Sequence, residues 1–107
     1  MPVSSKEKKA LETLKAEVAK RHELVEVRLY GSKVKGTDVE DSDLDVIIVL
    51  KELTPLIESS IDDLVFDINL KYDCLISPLY FSQEELETGP LSESPVYKKA
   101  QQEGIAL

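Results

Sequence analysis

The run Leu44–Leu50, LDVIIVL, constrains this 107-residue chain more than any other stretch. Its VIIVL portion is β-branched and apolar throughout, the composition of a strand buried in a core. A second run, LVEVRLY at Leu24–Tyr30, alternates Val25, Val27 and Leu29 against Glu26, Arg28 and Tyr30, as a strand with two different faces does. The segment joining them opens on Gly31-Ser32 and closes on Asp43 and Asp45. Residues able to do chemistry therefore collect where one strand ends and the next begins.

Asp43 and Asp45 are two apart at the head of a strand, so their side chains leave the same face. Carboxylates held that close repel unless a cation or a proton lies between them. Mg²⁺ suits the place, since it takes hard oxygen ligands, commonly one or two carboxylates together with substrate phosphates. Gly31 lets the backbone turn without a Cβ in the way, and Ser32 adds a hydroxyl and a backbone N–H at the start of a short helix.

Two other motifs can be tested on the same letters. Gly31 and Gly36 have P-loop spacing, but Thr37-Asp38 stands where that loop needs Lys followed by Ser or Thr. Asp41, Asp43, Asp45 and Glu52 match acidic positions of an EF-hand loop, yet Val46 occupies the turn position that requires glycine. The P-loop is rejected, and the EF-hand, the stronger of the two, ranks below a nucleotide site. The plain alternative is a polar loop leading into a core strand. It explains the aspartates alone, but not their pairing with Gly31-Ser32.

The remaining chain parses into alternating elements. Ser4 and Glu7 form a capping box, and Leu11, Leu14 and Val18 follow at helical spacing, which predicts a helix over Ser5–His22. Thr54-Pro55 opens a second helix with the apolar stripe Ile57, Ile61, Leu64, Val65 and Ile68. A third strand is expected near Tyr72–Phe81, with Pro78 placing its later part at an edge. Ser82 and Glu85 cap a short helix stopped by Gly89-Pro90, and Ser94-Pro95 opens a last helix that Gly104 ends. This order gives an α/β (α+β) architecture: a small mixed β-sheet with helices mainly on one face.

Composition narrows the function. The length suits one domain, residues 1–107. The net charge of −8 argues against a nucleic-acid surface, because phosphate backbones are held mainly by Lys and Arg. A negative chain can still take a nucleotide where metal ions invert the local sign. Cys74, the one cysteine, has no intramolecular disulfide partner. The N-terminus MPVSSKEKK lacks an apolar signal core and no run reaches spanning length, so the expectation is a cytoplasmic protein without membrane contact.

Gly31-Ser32-x-x-x-Gly36, followed by Ser42-Asp43-x-Asp45 and an apolar strand, resembles the signature of the DNA polymerase β-like nucleotidyltransferase superfamily. The short length and the ending SPVYKKAQQEGIAL are similar to its minimal nucleotidyltransferases. The resemblance implies the nucleotidyltransferase fold, ATP as substrate, two Mg²⁺ ions, and nucleotide contacts from Gly31, Ser32, Lys33, Gly36 and Ser42. It also implies a third metal-binding acid on the third strand. Asp73 takes that role, with a capping or surface position as its alternative, whereas Asp67 fits a solvated helix face. Asp43, Asp45 and Asp73 are thus the expected catalytic and metal-binding set.

Larger relatives shape the acceptor pocket with a second domain, for which this chain has no residues left, so the acceptor is expected on another protein or subunit. Minimal nucleotidyltransferases of this look often pair with a HEPN-domain ribonuclease toxin. The resemblance implies AMP transfer from ATP to a hydroxyl, such as a tyrosine's, on that partner. Two alternatives stand beside it. One is a non-catalytic antitoxin that acts by binding alone. The other is nucleotidylation of a small molecule, which a complete pocket or a homo-oligomer would favour.

Other polar residues have simpler readings. His22 ends a helix, where a cation suits the dipole. Lys33 and Lys35 either neutralise a triphosphate or are exposed lysines of the short helix. Arg28 reads as structural, Cys74 as a buried thiol, and Glu40 and Asp41 as solvating the link.

Overall fold

The computed structural model describes residues 3–31 and 43–107. Helix α1 spans Ser5–Arg21. At its start the Ser4 side chain accepts from the Glu7 N–H while the Glu7 carboxylate accepts from the Ser4 N–H, so the capping box closes as the sequence predicts. The helix buries Ala10, Leu11, Leu14 and Val18. Helix α2, Pro55–Tyr72, begins with Thr54 accepting from the Ile57 N–H and buries Ile61, Val65 and Ile68. Both helices pack on one face of the sheet against Leu44, Val46, Ile48 and Leu50.

The sheet has four strands: β1 (Leu24–Tyr30), β2 (Leu44–Leu50), β3 (Ile76–Ser82) and the two-residue β4 (Ile105–Ala106). Their spatial order is β3-β2-β1-β4, with β1 antiparallel to β2 and β4, and β2 parallel to β3. The sheet is therefore mixed, as the sequence implies. Five consecutive residues of β2, Val46–Leu50, are buried, which matches its apolar composition. Pro78 lies in β3 at the sheet edge, where its missing N–H disrupts no interior ladder.

The opposite sheet face carries a smaller cluster of Ile47, Val49, Phe81 and Ala100, with Tyr30, Leu86 and Tyr97 against it. It is covered from helix α3 (Gln83–Thr88) and helix α4 (Pro95–Glu103), with a 3-10 turn, Pro90–Glu93, between them. Arg28 anchors this side: its Nε donates to Glu26 at 2.7 Å and one Nη donates to the Gly104 carbonyl at 3.3 Å. The structural reading of Arg28 thus holds. Asp45 lies on this second face, beyond the apolar cluster, because β2 alternates Asp45, Ile47 and Val49 against the residues that meet α1 and α2. No described helix is long and apolar enough to cross a membrane.

Candidate active site

The site forms where β1 ends and β2 begins. Antiparallel pairing sets Tyr30 opposite Asp45, so the chain leaving β1 passes directly beside that carboxylate. Gly31 is the first residue of the exit, with φ of 84°. A Cβ built on it would stand 2.6 Å from Asp45 Oδ2, closer than side chains tolerate. The left-handed backbone favours glycine here, and a Cβ would push the Asp45 carboxylate from its place.

Asp43 precedes β2 and is exposed, whereas Asp45 is half-buried. Burial raises the Asp45 carboxyl above its ordinary pKa, and the neighbouring Asp43 charge pushes it the same way. Each effect disfavours a second negative charge at this spot. Burial, then Asp45, likewise raises the Tyr30 phenol. The parallel register places Ser77 of β3 abreast of Asp45, and the Ser77 hydroxyl donates to Asp43 Oδ2 at 2.9 Å. The Leu44 N–H donates to the Leu75 carbonyl at 2.8 Å, which ties the entry of β2 to that of β3.

Asp73 requires a correction. The third strand starts at Ile76, not Tyr72, because α2 runs through Tyr72 and Asp73 becomes its C-cap in the left-handed conformation, φ 49° and ψ 55°. Its side chain is 98% exposed and pairs with Lys6 at 3.3 Å. Asn69 enforces the turn: its Oδ1 accepts from the Ile76 N–H at 2.9 Å and its Nδ2 donates to the Ile76 carbonyl at 3.3 Å. Among the described residues, no three His, Cys, Asp or Glu side chains gather as a metal-binding group. Asp43 and Asp45 therefore form a pair that Asp73 does not join. Of the expected nucleotide contacts, Gly31 is described. Ser32, Lys33, Gly36 and Ser42 lie outside the described residues.

Sequence reasoning passed over Ser77. It sits in the apolar stretch LISPLYF, and only the register between β2 and β3 brings it to the aspartates. Cys74 is half-buried, its thiol pushed up chiefly by burial, and its Sγ lies 3.6 Å from Asn69 Oδ1. It belongs to the same turn and not to the site.

The model of the nucleotidyltransferase domain matches residues 11–100, a span that takes in Gly31, Asp43 and Asp45. The chain belongs to the nucleotidyltransferase domain family. It is 39% identical over 64 residues to a protein of Methanocaldococcus jannaschii provisionally named a protein adenylyltransferase. That match covers 59% of this chain and 65% of the relative, just under two thirds of its length.

Solved structures agree on the fold. A provisionally named nucleotidyltransferase of Sulfolobus solfataricus superposes with a TM-score of 0.57 at 18% identity, covering 92% of this chain and 76% of that one. A toxin–antitoxin structure with AMP-PNP gives 0.58 at 14% identity, covering 89% and 70%. A provisionally named minimal nucleotidyltransferase gives 0.54 at 25% identity, covering 91% and 95%.

The donor set fits one divalent cation. The Asp43 and Asp45 carboxylates are near enough to influence each other, and main chain passes beside Asp45, an all-oxygen arrangement that would suit such an ion.

Proposed function

We propose that this nucleotidyltransferase moves AMP from ATP to a hydroxyl on a partner protein, as the antitoxin of a HEPN-type toxin–antitoxin pair. The observation that carries the reading is the contact between the Gly31 turn and Asp45, with Asp43 at its side. It sets a backbone turn able to receive phosphate against two carboxylates able to hold Mg²⁺. When bound, the cation neutralises phosphate charge and lowers the pKa of an acceptor hydroxyl.

This chain's own part is positioning. Gly31 keeps the approach open, Ser32 is the hydroxyl expected at the phosphates, and Asp43 and Asp45 would hold the cation. In the transfer, the acceptor oxygen bonds to the α-phosphorus as the bond to the β-phosphate breaks. Pyrophosphate leaves and the hydroxyl proton passes to solvent. A protein acceptor is supported by the name of the Methanocaldococcus jannaschii relative, and a toxin partner and an adenine nucleotide by the toxin–antitoxin structure with AMP-PNP.

A second reading, a nucleotide-binding antitoxin that acts without transfer, is favoured by one observation: the described residues bring two carboxylates together, not three. The test is incubation with α-labelled ATP, Mg²⁺ and the partner protein encoded beside it, with the label located by mass spectrometry. Label on a partner hydroxyl, lost in Asp43→Asn and Asp45→Asn, supports transfer. Neutralisation of the partner that survives both substitutions without any label would replace it with the binding-only reading. Label on an added small molecule alone would move the acceptor off protein.

A further inference from the structure

Strand β3, ISPLYFS, contributes no acid to the face that Asp45 occupies. The side chain that it does bring abreast of Asp45 is a serine, and that serine is engaged with the other aspartate. We infer that Ser77 is a positioning residue of this site, orienting Asp43 so that the Asp43–Asp45 pair presents a single divalent-cation site. The inference rests on the cation role given to those aspartates above.

The physical case has three parts. First, Asp43 stands outside the strand ladder and is exposed, so nothing in regular secondary structure fixes its carboxylate. A hydroxyl donated to Oδ2 at 2.9 Å, from a strand held in register over seven pairs, does fix it. Second, the donor is neutral. It adds no third anion beside the two carboxylates, so it can hold one of them without adding to their repulsion. Third, ligating carboxylates are held by hydrogen bonds of this kind in general, and losing one typically weakens cation affinity by about 10–100-fold.

The test uses the full chain, with Mn²⁺ as a spectroscopic stand-in for Mg²⁺ and no nucleotide present, so that cation binding is read apart from transfer. Titration followed by electron paramagnetic resonance gives affinity and stoichiometry, and circular dichroism checks each variant's fold. The wild type is expected to bind one Mn²⁺ per chain. Ser77→Ala should bind it about 10-fold more weakly. Ser77→Thr, which keeps the hydroxyl on a side chain suited to a strand, should return to within about 3-fold. Adding Ser77→Ala to Asp43→Asn should cost little beyond Asp43→Asn alone, because the serine acts through that carboxylate.

Wild-type affinity in Ser77→Ala would overturn the inference. So would a folded Ser77→Thr that binds as weakly as the alanine variant, or two equally tight ions in the wild type. If the Mn²⁺ results hold while no AMP is transferred, the proposed function fails and the role of Ser77 stands. With an active partner assay, Ser77→Ala should slow transfer at subsaturating Mg²⁺ and recover as Mg²⁺ is raised to saturation.

Discussion

Replacing Asp45 by asparagine should stabilise the cation-free protein while abolishing its chemistry. In the native state Asp45 is half-buried and faces the Asp43 charge, and both push its carboxyl toward the neutral form. The folded protein therefore holds this proton to higher pH than the unfolded chain does. Between the two pKa values the native state binds more protons, so this group's contribution to stability falls as pH rises, and its full penalty is present at neutral pH. Like charges ~6 Å apart repel by about 0.7 kcal/mol in a water-like dielectric and about 2.8 at an effective value of 20. Because Asp43 is exposed and screened, the lower end applies, about 0.5–1 kcal/mol. For a chain of this size that is a rise of about 2–6 °C in Tm. The assay is thermal unfolding followed by circular dichroism, with chelator and then with Mg²⁺. Cation at 100 times its Kd adds about 2.7 kcal/mol to the wild type, and the asparagine variant should lose most of that increment. A variant that melts below the wild type in chelator, or that gains as much from Mg²⁺, would refute the charge-pair argument.

Three further outcomes are expected. Gly31→Ala should lower stability by about 1–2 kcal/mol, since its φ of 84° suits glycine, and should also weaken Mn²⁺ binding by displacing Asp45; an unchanged denaturation midpoint would count against it. Asp73→Gly should leave Mn²⁺ affinity and transfer at wild-type levels, with stability changed by less than about 1 kcal/mol as relief of the left-handed backbone offsets loss of the exposed Lys6 pair; a clear drop in affinity would return Asp73 to the site. Tyr80 donates to Asp62 at 2.6 Å, and burial together with this bond raises its phenol far above the ordinary value, so the bond's stabilisation is complete below the unfolded tyrosine pKa near ~10 and is lost as pH climbs beyond it. Tyr80→Phe should cost about 0.5–1 kcal/mol at neutral pH and remove the last phase of phenolate absorbance in an alkaline titration, which an unaltered titration would disprove.

Where local chemistry sets the structure, the sequence was readable. The Ser4–Glu7 and Ser82–Glu85 boxes, the Thr54 cap before Pro55, and the unbroken apolar run in β2 each stand as the letters imply. These features need only neighbours a few residues away. The two-residue β4 was not legible, because Ile105-Ala106 is too short to show alternation and exists only through its pairing with Leu29 and Arg28.

Asp73 and Ser77 mark the boundary more sharply, since both depend on where α2 hands over to β3. The helix continues through Leu70, Lys71 and Tyr72 because each is an acceptable helix former, and no proline or glycine stops it. Its end is imposed instead by Asn69, which reaches forward to both backbone groups of Ile76. That reach moves the strand's first residue four places past Tyr72, which leaves Asp73 on the surface and draws Ser77 level with Asp45. One side-chain amide thus decides which residue of the third strand can serve the aspartates. Register, not residue type, selects the neighbour of Asp45 on that strand, and the neighbour selected is a hydroxyl and not an acid.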